Sequence, residues 1–496
     1  MISGIYEEVM RFKLILSIVS FLVMLSGFMM IFPAIADWIN NDLKSASIFA
    51  LCAGLCLAFG LIGWLITDTP HSPLKVKEMF FATGVIWLIF TLLCAFPLYF
   101  SPVNISFTDA FFEATSGLTT TGATIFSDLE QLPVGVLLWR SVMQWMGGLG
   151  ILVVAILILP SLQIGGMQLF NIETSGESNR DMPTTAQNVL GILTYFIIIT
   201  IACGLCLWIA GMTPFDAINH ALTTAATGGF STHNESIGYF RSSTIEWILI
   251  FFMFIGGLPL MMGILLVRRH FDTIRNDEQI KLYFWSVIGV ILFLIAVRWH
   301  DVHFDNGQLS AILRTTTFDV VSIMSSTGFV TDNYETWGLY ASVVFLLMML
   351  TGACTGSTSG GIKMFRYSIL FKAIHTKLKR SVQPHGIFIP RYGNKPISEE
   401  VISGVLVFFG LYAISAGIGS IILSLCNLDA LTAISGAISA LSNIGPALGD
   451  IIGPDKTFSN FPTVGKYVFA FMMIIGRLEF VAVYILFVPF FWKRNV

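Results

Sequence analysis

The chain has 496 residues, of which 55% are hydrophobic, 13% aromatic and only 11% charged, with a net charge of −3. Soluble domains carry about 25% charged residues, so this composition excludes an ordinary soluble enzyme and points to a protein bathed in lipid. The near-neutral balance speaks against nucleic acid as a partner.

Apolar runs approaching the roughly 20 residues that a membrane helix needs fall near 13–35, 47–67, 79–100, 135–160, 188–212, 244–267, 282–298, 338–368, 400–426 and 463–492. Ten spans are therefore expected, the eighth interrupted by polar residues and glycines. Arg11 and Lys13 precede the first run, but Pro33 and Asp37 leave no small-residue cleavage site, so it reads as a retained span rather than a signal peptide. Nineteen of the 27 Lys and Arg fall before the first span, after the last one or in alternate loops, among them Lys75, Arg180, Arg268, Lys372, Lys379 and Lys493. That asymmetry predicts cytoplasmic termini. The cysteines lie mostly in apolar segments, and Cys203 and Cys206, though spaced like a redox pair, read as small buried hydrophobes.

After the first two spans, the other eight form four pairs. Between the members of each pair lies a segment too short and too polar to cross. Each reads as a half-helix of about ten residues that ends in a polar stretch and a glycine: Thr120-Thr121-Gly122, Thr227-Gly228-Gly229, Ser326-Thr327-Gly328 and Asn443-Ile444-Gly445. Asp109 and Asp216 each stand 13 residues before their glycine, whereas the third and fourth segments match only when aligned on the glycine. A fourfold internal repeat outweighs any single motif. The expected fold is an all-α polytopic membrane protein, with four degenerate span–half-helix–filter–span repeats around one pore and two extra N-terminal spans. The boundaries are 1–70 for the extra spans and 71–165, 166–275, 276–385 and 386–496 for the repeats.

The residue types suit cation conduction. Irregular backbone at membrane depth is tolerated only inside protein or against water, and a dehydrated cation needs a cage of oxygens that carbonyls from four segments can supply. Glycine admits positive φ and so lets successive carbonyls turn to one axis. Each half-helix would end at the filter, its partial negative charge favouring a cation. A lone Ser/Thr-Gly turn is an ordinary loop; four of them, each between paired spans, point to a pore.

These repeats resemble those of the Trk/Ktr/HKT superfamily of potassium transporters, in particular the bacterial TrkH type, along essentially the whole chain. The runs Thr-Thr-Thr-Gly122-Ala-Thr, Ser-Thr-Gly328-Phe and Asn-Ile-Gly445-Pro carry the resemblance, and the two extra spans favour the TrkH type over the shorter Ktr type. The resemblance implies filter glycines at Gly122, Gly229, Gly328 and Gly445 and a potassium ion held there, with no organic cofactor. It further implies a homodimer in a bacterial inner membrane and a cytosolic, nucleotide-binding regulatory partner of the TrkA type. Gly228 departs from the family, which more often has a hydroxyl or branched residue there. Relatives with serine at the first filter glycine tend to pass sodium, so Gly122 implies potassium.

The interruption of the eighth span, Thr351 to Lys363, almost matches a nucleotide-binding glycine loop, but Ile362 stands where lysine is required. It reads either as a flexible kink or as a non-helical loop beneath the filter, with Gly356, Gly360 and Gly361 allowing the bends and Lys363 repelling cations. The resemblance, through the family's intramembrane gating loop, favours the latter. Glycines in the other closing spans, such as Gly147, Gly150, Gly256 and Gly476, would permit close packing. Arg477 and Glu479 lie inside the last run and pair with each other, or else Arg477 stands near the ion path and lowers cation occupancy. Glu113 is expected to brace the filter or find a basic partner, and His220 to be hydrogen-bonded within its half-helix. The basic stretch near 369–399 would meet anionic lipid. No nucleophile–base pair or metal-ligand spacing suggests an enzyme. A symporter coupling potassium or sodium to protons or sodium is the alternative to a channel-like uptake protein. The parallel repeats and scarce intramembrane acids weigh against it.

Overall fold

The computed structural model describes residues 12–67, 76–162, 185–302, 305–393 and 395–492. Arg11, Lys75, Arg180, Lys493, Arg494 and both termini, on which part of the orientation argument rests, lie outside the described residues. The protein is an all-α polytopic membrane protein. Among the described residues the one pair of strands is a short antiparallel hairpin, Arg391–Tyr392 with Lys395–Pro396, and one isolated bridge joins Thr351 to Ile362. Among the described residues, six helices are long and apolar enough to cross a membrane, and two further pairs qualify as broken spans.

Phe12–Ile39 and Leu43–Thr67 form the N-terminal pair. They pack closely because a Cβ at Gly27 would lie 2.9 Å from the Ala53 carbonyl oxygen. The pair is pinned to the repeats by Asp37, whose Oδ1 accepts the Gly135 N–H at 2.5 Å and so satisfies an orphan donor at the start of Val134–Leu162.

Each repeat opens with a span: Val76–Phe100, Thr185–Ile209, Glu278–Asp301 and Glu399–Leu425. A half-helix follows: Phe107–Leu118, Pro214–Ala225, Asn306–Met324 and Ala430–Ser442. All four start from a side-chain cap, in which Ser106, Thr213, Asp305 and Asp429 accept the N–H of Asp109, Asp216, Gly307 and Thr432. Each such cap stabilises a helix start by about 1 kcal/mol. The third half-helix, at 19 residues, is longer than the ten or so expected, because its cap lies well upstream at Asp305.

The closing spans depart from expectation. Only Val134–Leu162 runs through unbroken. The interruption of the third was anticipated, but the second bends by 96° between Ser243–Gly256 and Met261–Val267, and the fourth by 111° between Thr463–Arg477 and Val481–Phe487. The runs 244–267 and 463–492 are therefore not continuous helices. At the first break Pro259 lacks an N–H and clashes with the preceding turn. At the second, Glu479 and Phe480 both take positive φ, 60° and 56°. Backbone groups freed at the first break are met by the interrupted segment of the third repeat: Cys354 donates to the Gly257 carbonyl and Leu260 to that of Gly356, each at 3.0 Å. This mutual satisfaction is what makes two adjacent breaks tolerable at membrane depth.

Among the described residues, the two larger of three apolar cores each join two repeats. One joins the first and fourth repeats through Phe112, Phe458 and Phe469, the last two with ring centroids 4.8 Å apart. The other joins the second and third, with Tyr334 stacked on Phe345 at 3.9 Å. Cys203 is buried, whereas Cys206 is exposed, and neither forms a disulfide.

Candidate functional site

All four half-helices end in the same way. The N–H groups of Thr121, Gly228, Thr327 and Ile444 reach back to the carbonyls of Ser116, Thr223, Ser322 and Ser439, at 2.9, 2.8, 2.8 and 3.1 Å. This is the 6→1 bond of a Schellman cap, which requires a left-handed residue just before it. Thr120, Thr227, Ser326 and Asn443 supply that residue, with φ of 54°, 50°, 55° and 52°. Glycine would fill the position without strain; a side chain there costs about 1–2 kcal/mol but brings an oxygen to the base of each strand. Two residues on, Gly122, Gly229, Gly328 and Gly445 are again left-handed, at 85°, 78°, 79° and 99°. Alternation of this kind turns successive carbonyls to one side of a strand.

The strands close into a ring. A Cβ added to Gly122 would lie 2.3 Å from the Gly228 carbonyl oxygen; one on Gly229, 2.0 Å from that of Thr327; one on Gly328, 2.0 Å from that of Ile444; and one on Gly445, 2.4 Å from that of Thr121. Each glycine thus touches the carbonyl of the residue before the glycine in the next strand, in cyclic order. Any side chain would push the ring apart. All four glycines line one cavity, together with Thr124, Phe230, Val330 and Pro446.

Braces from behind hold this geometry. Nine residues before the glycines stand Glu113, His220, Asp319 and Gly436. Glu113 accepts from Ile125 N at 2.9 Å and Thr124 Oγ1 at 3.0 Å. His220 Nε2 bonds Ser231 Oγ at 3.0 Å. Asp319 Oδ1 accepts from Thr331 N at 3.3 Å. Where the fourth repeat has glycine, Ser435 Oγ accepts from Leu448 N at 3.0 Å instead. Glu113 has a basic partner as well. Arg140 Nε lies 2.7 Å from its carboxylate, and the same guanidinium donates to the Ser231 carbonyl at 2.9 Å, tying the first strand to the second. Gln144 straddles the second strand, donating to the Gly228 carbonyl at 2.5 Å and accepting from Phe230 N at 3.1 Å. Farther out, Glu335 ties the third repeat to the fourth by accepting the Gly449 N–H at 2.8 Å, and burial pushes its carboxyl above the ordinary range. Neither Arg140 nor Gln144 is visible as a site residue in the sequence. Asp319 is, once the repeats are aligned on the glycine.

Glu113→Ala would strand the buried Arg140 guanidinium, and removal of one partner from such a pair costs about 3–5 kcal/mol. We expect the thermal midpoint of the purified protein to fall by several degrees, and less for Glu113→Gln, which keeps the acceptor for Ile125. A midpoint unchanged by Glu113→Ala would show that the brace contributes nothing.

The interrupted segment lies directly beneath the ring. The helix Leu339–Met349 stops, the chain doubles back so that Thr351 pairs with Ile362, and Met364–Val382 begins. Its tip touches three strands. Thr227 Oγ1 donates to Thr358 Oγ1 at 3.1 Å, Gly360 N donates to Ser326 Oγ at 2.6 Å, and a Cβ on Gly360 would lie 2.1 Å from the Ser442 carbonyl oxygen. Arg477 completes the circle: Nη1 donates to the Thr358 carbonyl at 2.9 Å and Nη2 to the Gly147 carbonyl of the first repeat at 3.2 Å. It does not pair with Glu479, which bonds Arg366. Lys363 folds back onto Ser359 of the same loop. Gly361, with φ 70°, makes the return bend against Gly352, and Gly356 lies off-axis, anchored to Leu260. Of the glycines in the closing spans, Gly147 and Gly476 face the Leu118 and Leu441 carbonyl oxygens at 1.9 and 2.1 Å from a notional Cβ, while Gly150 meets nothing within 4 Å. Thr120 Oγ1 and Asn443 Oδ1 are buried oxygens without a hydrogen-bond partner among the described residues.

A family model described as TrkH, cation transport protein, matches residues 46–494. The Trk system potassium uptake protein TrkI of Halomonas elongata is 34% identical over 489 residues, covering 98% of both chains. TrkH of Escherichia coli (strain K12), also named a Trk system potassium uptake protein, is 35% identical over 491 residues, covering 98% of this chain and all of that one. The crystal structure of the potassium transporter TrkH from Vibrio parahaemolyticus superposes with a TM-score of 0.89 at 31% identity, covering 98% of this chain and 100% of that one.

Proposed function

The chain belongs to the TrkH family of cation transport proteins, and from that premise we propose that it takes up potassium through one gated pore whose selectivity filter is the ring of four strands. Its function is transport rather than catalysis. The observation that carries the reading is the cyclic closure of Gly122, Gly229, Gly328 and Gly445 on the carbonyls of Gly228, Thr327, Ile444 and Thr121. Carbonyl rings of this kind replace the hydration shell of a cation, and the four half-helix C-termini add partial negative charge at the base of the ring.

The loop Thr351–Lys363 is the gate in this reading. Its contacts with Thr227, Ser326 and Ser442 plug the axis below the filter, and flux requires its displacement. A cytosolic nucleotide-binding subunit of the TrkA type would drive that displacement, in keeping with relatives named as parts of Trk systems. We place the protein in the bacterial inner membrane as a homodimer with cytoplasmic termini, potassium being its cargo. Conduction along the gradient is favoured over coupling to protons or sodium, because the four strands close around a single axis.

Reconstituted vesicles under an imposed potassium gradient test this. The current should reverse at the potassium Nernst potential and keep that reversal when pH is changed on one side. A reversal potential that moves with the proton or sodium gradient would sink the channel-like reading in favour of symport.

A further inference from the structure

The helix Met364–Val382 leaves the loop and carries two kinds of surface side by side. Met364, Tyr367, Phe371, His375, Leu378 and Val382 recur at spacings of three and four and so share one face. That face is apolar at five of its six positions and open: Phe371 is 56% exposed, Leu378 61% and Val382 81%. Its first half walls an apolar groove with Val290, Phe293, Leu347 and Met348. Two other walls of the groove belong to Glu278–Asp301 and Leu339–Met349, and Thr351 and Met364, which flank the loop, line it too.

Farther along the helix the flanking residues turn basic. Lys372, His375, Thr376 and Lys379 face Arg391 across a cleft closed by Phe388 and Ile389, and Arg380 fixes that wall by donating to the Phe388 carbonyl at 2.7 Å. Lys372 is already engaged by Glu278. Lys379 has no carboxylate partner among the described residues. From Phe371 to Lys379 is eight residues, about 12 Å along a helix. Acyl-sized groove and open apolar stripe thus share one face of the helix, and the unneutralised ammonium stands on its flank.

We propose that an anionic phospholipid binds here, with its phosphate against Lys379, His375 and Arg391 and one acyl chain in the groove of Val290, Phe293 and Phe371. A soluble protein fits the cleft but not the groove, whose walls are membrane-spanning helices. A zwitterionic lipid fits the groove but leaves the positive charge of the cleft uncompensated. Basic residues at a membrane surface attract anionic lipid in this way.

The full-length protein in detergent is titrated with phosphatidylglycerol, phosphatidylcholine or inorganic phosphate, and retained lipid is counted by native mass spectrometry alongside the thermal midpoint. Flux plays no part in the readout, so the outcome is independent of the transport reading. Phosphatidylglycerol should be retained and raise the midpoint where phosphatidylcholine does not. Lys379→Gln should weaken its retention about fivefold, an effect that shrinks with salt. Gly289→Phe, at a groove position where a Cβ meets no atom within 4 Å, should fill the groove and abolish retention while leaving the lipid-free midpoint unchanged. Equal retention of the two lipids, or wild-type retention by both variants, overturns the proposal. So does inorganic phosphate competing as strongly as the lipid, which would make the cleft a site for free anions. Loss of a dimer in Gly289→Phe without any change in lipid retention would assign the groove to a second copy of the chain and equally overturn it.

Discussion

Gly122→Ser should cut the potassium-over-sodium permeability ratio by about tenfold or more. Two effects act at this position. The backbone there has φ of 85°, a conformation in which a side chain costs about 1–2 kcal/mol. The new Cβ would also sit 2.3 Å from the Gly228 carbonyl oxygen, well inside the ~3.5–4.0 Å optimum for non-bonded atoms. That carbonyl must move by about 1 Å or the strand must rotate, and either opens the ring on one side. A ring that no longer holds its oxygens at a fixed radius discriminates poorly between two monovalent cations, and a tenfold loss corresponds to only about 1.4 kcal/mol. Gly150→Ser is the control: its Cβ has open space, and the ratio should stay at the wild-type value. If Gly122→Ser and Gly150→Ser both keep the wild-type ratio, Gly122 is not part of the filter.

Arg477→Ala should raise potassium flux in the absence of any regulatory partner by about tenfold or more. The guanidinium joins the loop tip to the first repeat through the carbonyls of Thr358 and Gly147. Hydrogen bonds from charged groups contribute about 1.5–3 kcal/mol each, so losing both shifts the balance between seated and displaced loop by at least an order of magnitude. The charge acts in the same direction. At ~8 Å and an effective dielectric of about 20, it raises the energy of a passing cation by roughly 2 kcal/mol, and its removal should tighten apparent potassium affinity. Arg477→Lys keeps the charge but not the planar fork that spans two carbonyls, so its affinity should stay near wild type while its resting flux rises in part. Flux as a function of potassium concentration, measured together with the thermal midpoint, separates these terms. A lower midpoint with unchanged flux and affinity would reduce Arg477 to a structural clamp.

Much of this was legible in the chain itself. Hydropathy alone located the spans, because lipid demands about 20 consecutive apolar residues wherever a helix crosses. The repeat and its four glycines were equally legible, since positive φ at a crowded axis leaves almost no other residue possible. The interrupted segment after Thr351 announced itself through its serines, threonines and glycines. Asp319 was within reach of the same alignment on the glycine, but it stands four residues later than Asp109 and Asp216 and so does not match them. The helix start sets where the half-helix begins, but the ring glycine sets which side chain lies behind the strand, and Glu113, His220 and Asp319 all stand nine residues before it.

Tertiary structure alone decided the rest. A hydropathy window averages over a break of three residues, so the bend at Glu479 and Phe480, where neither residue is glycine or proline, left no trace in the apolar run. Adjacency in sequence suggested that Arg477 and Glu479 pair, yet the left-handed turn that begins at Glu479 sends the carboxylate to Arg366 while the arginine reaches Thr358. Arg140 reads as a stray charge near the start of a span until folding sets it between Glu113 and Ser231, 27 and 91 positions away. Local constraints on the backbone, lipid solvation and φ, act within a few residues and are written in the sequence at that range. The partner of a buried charge is whichever group the packed helices bring within 3 Å, and separation along the chain carries no information about it.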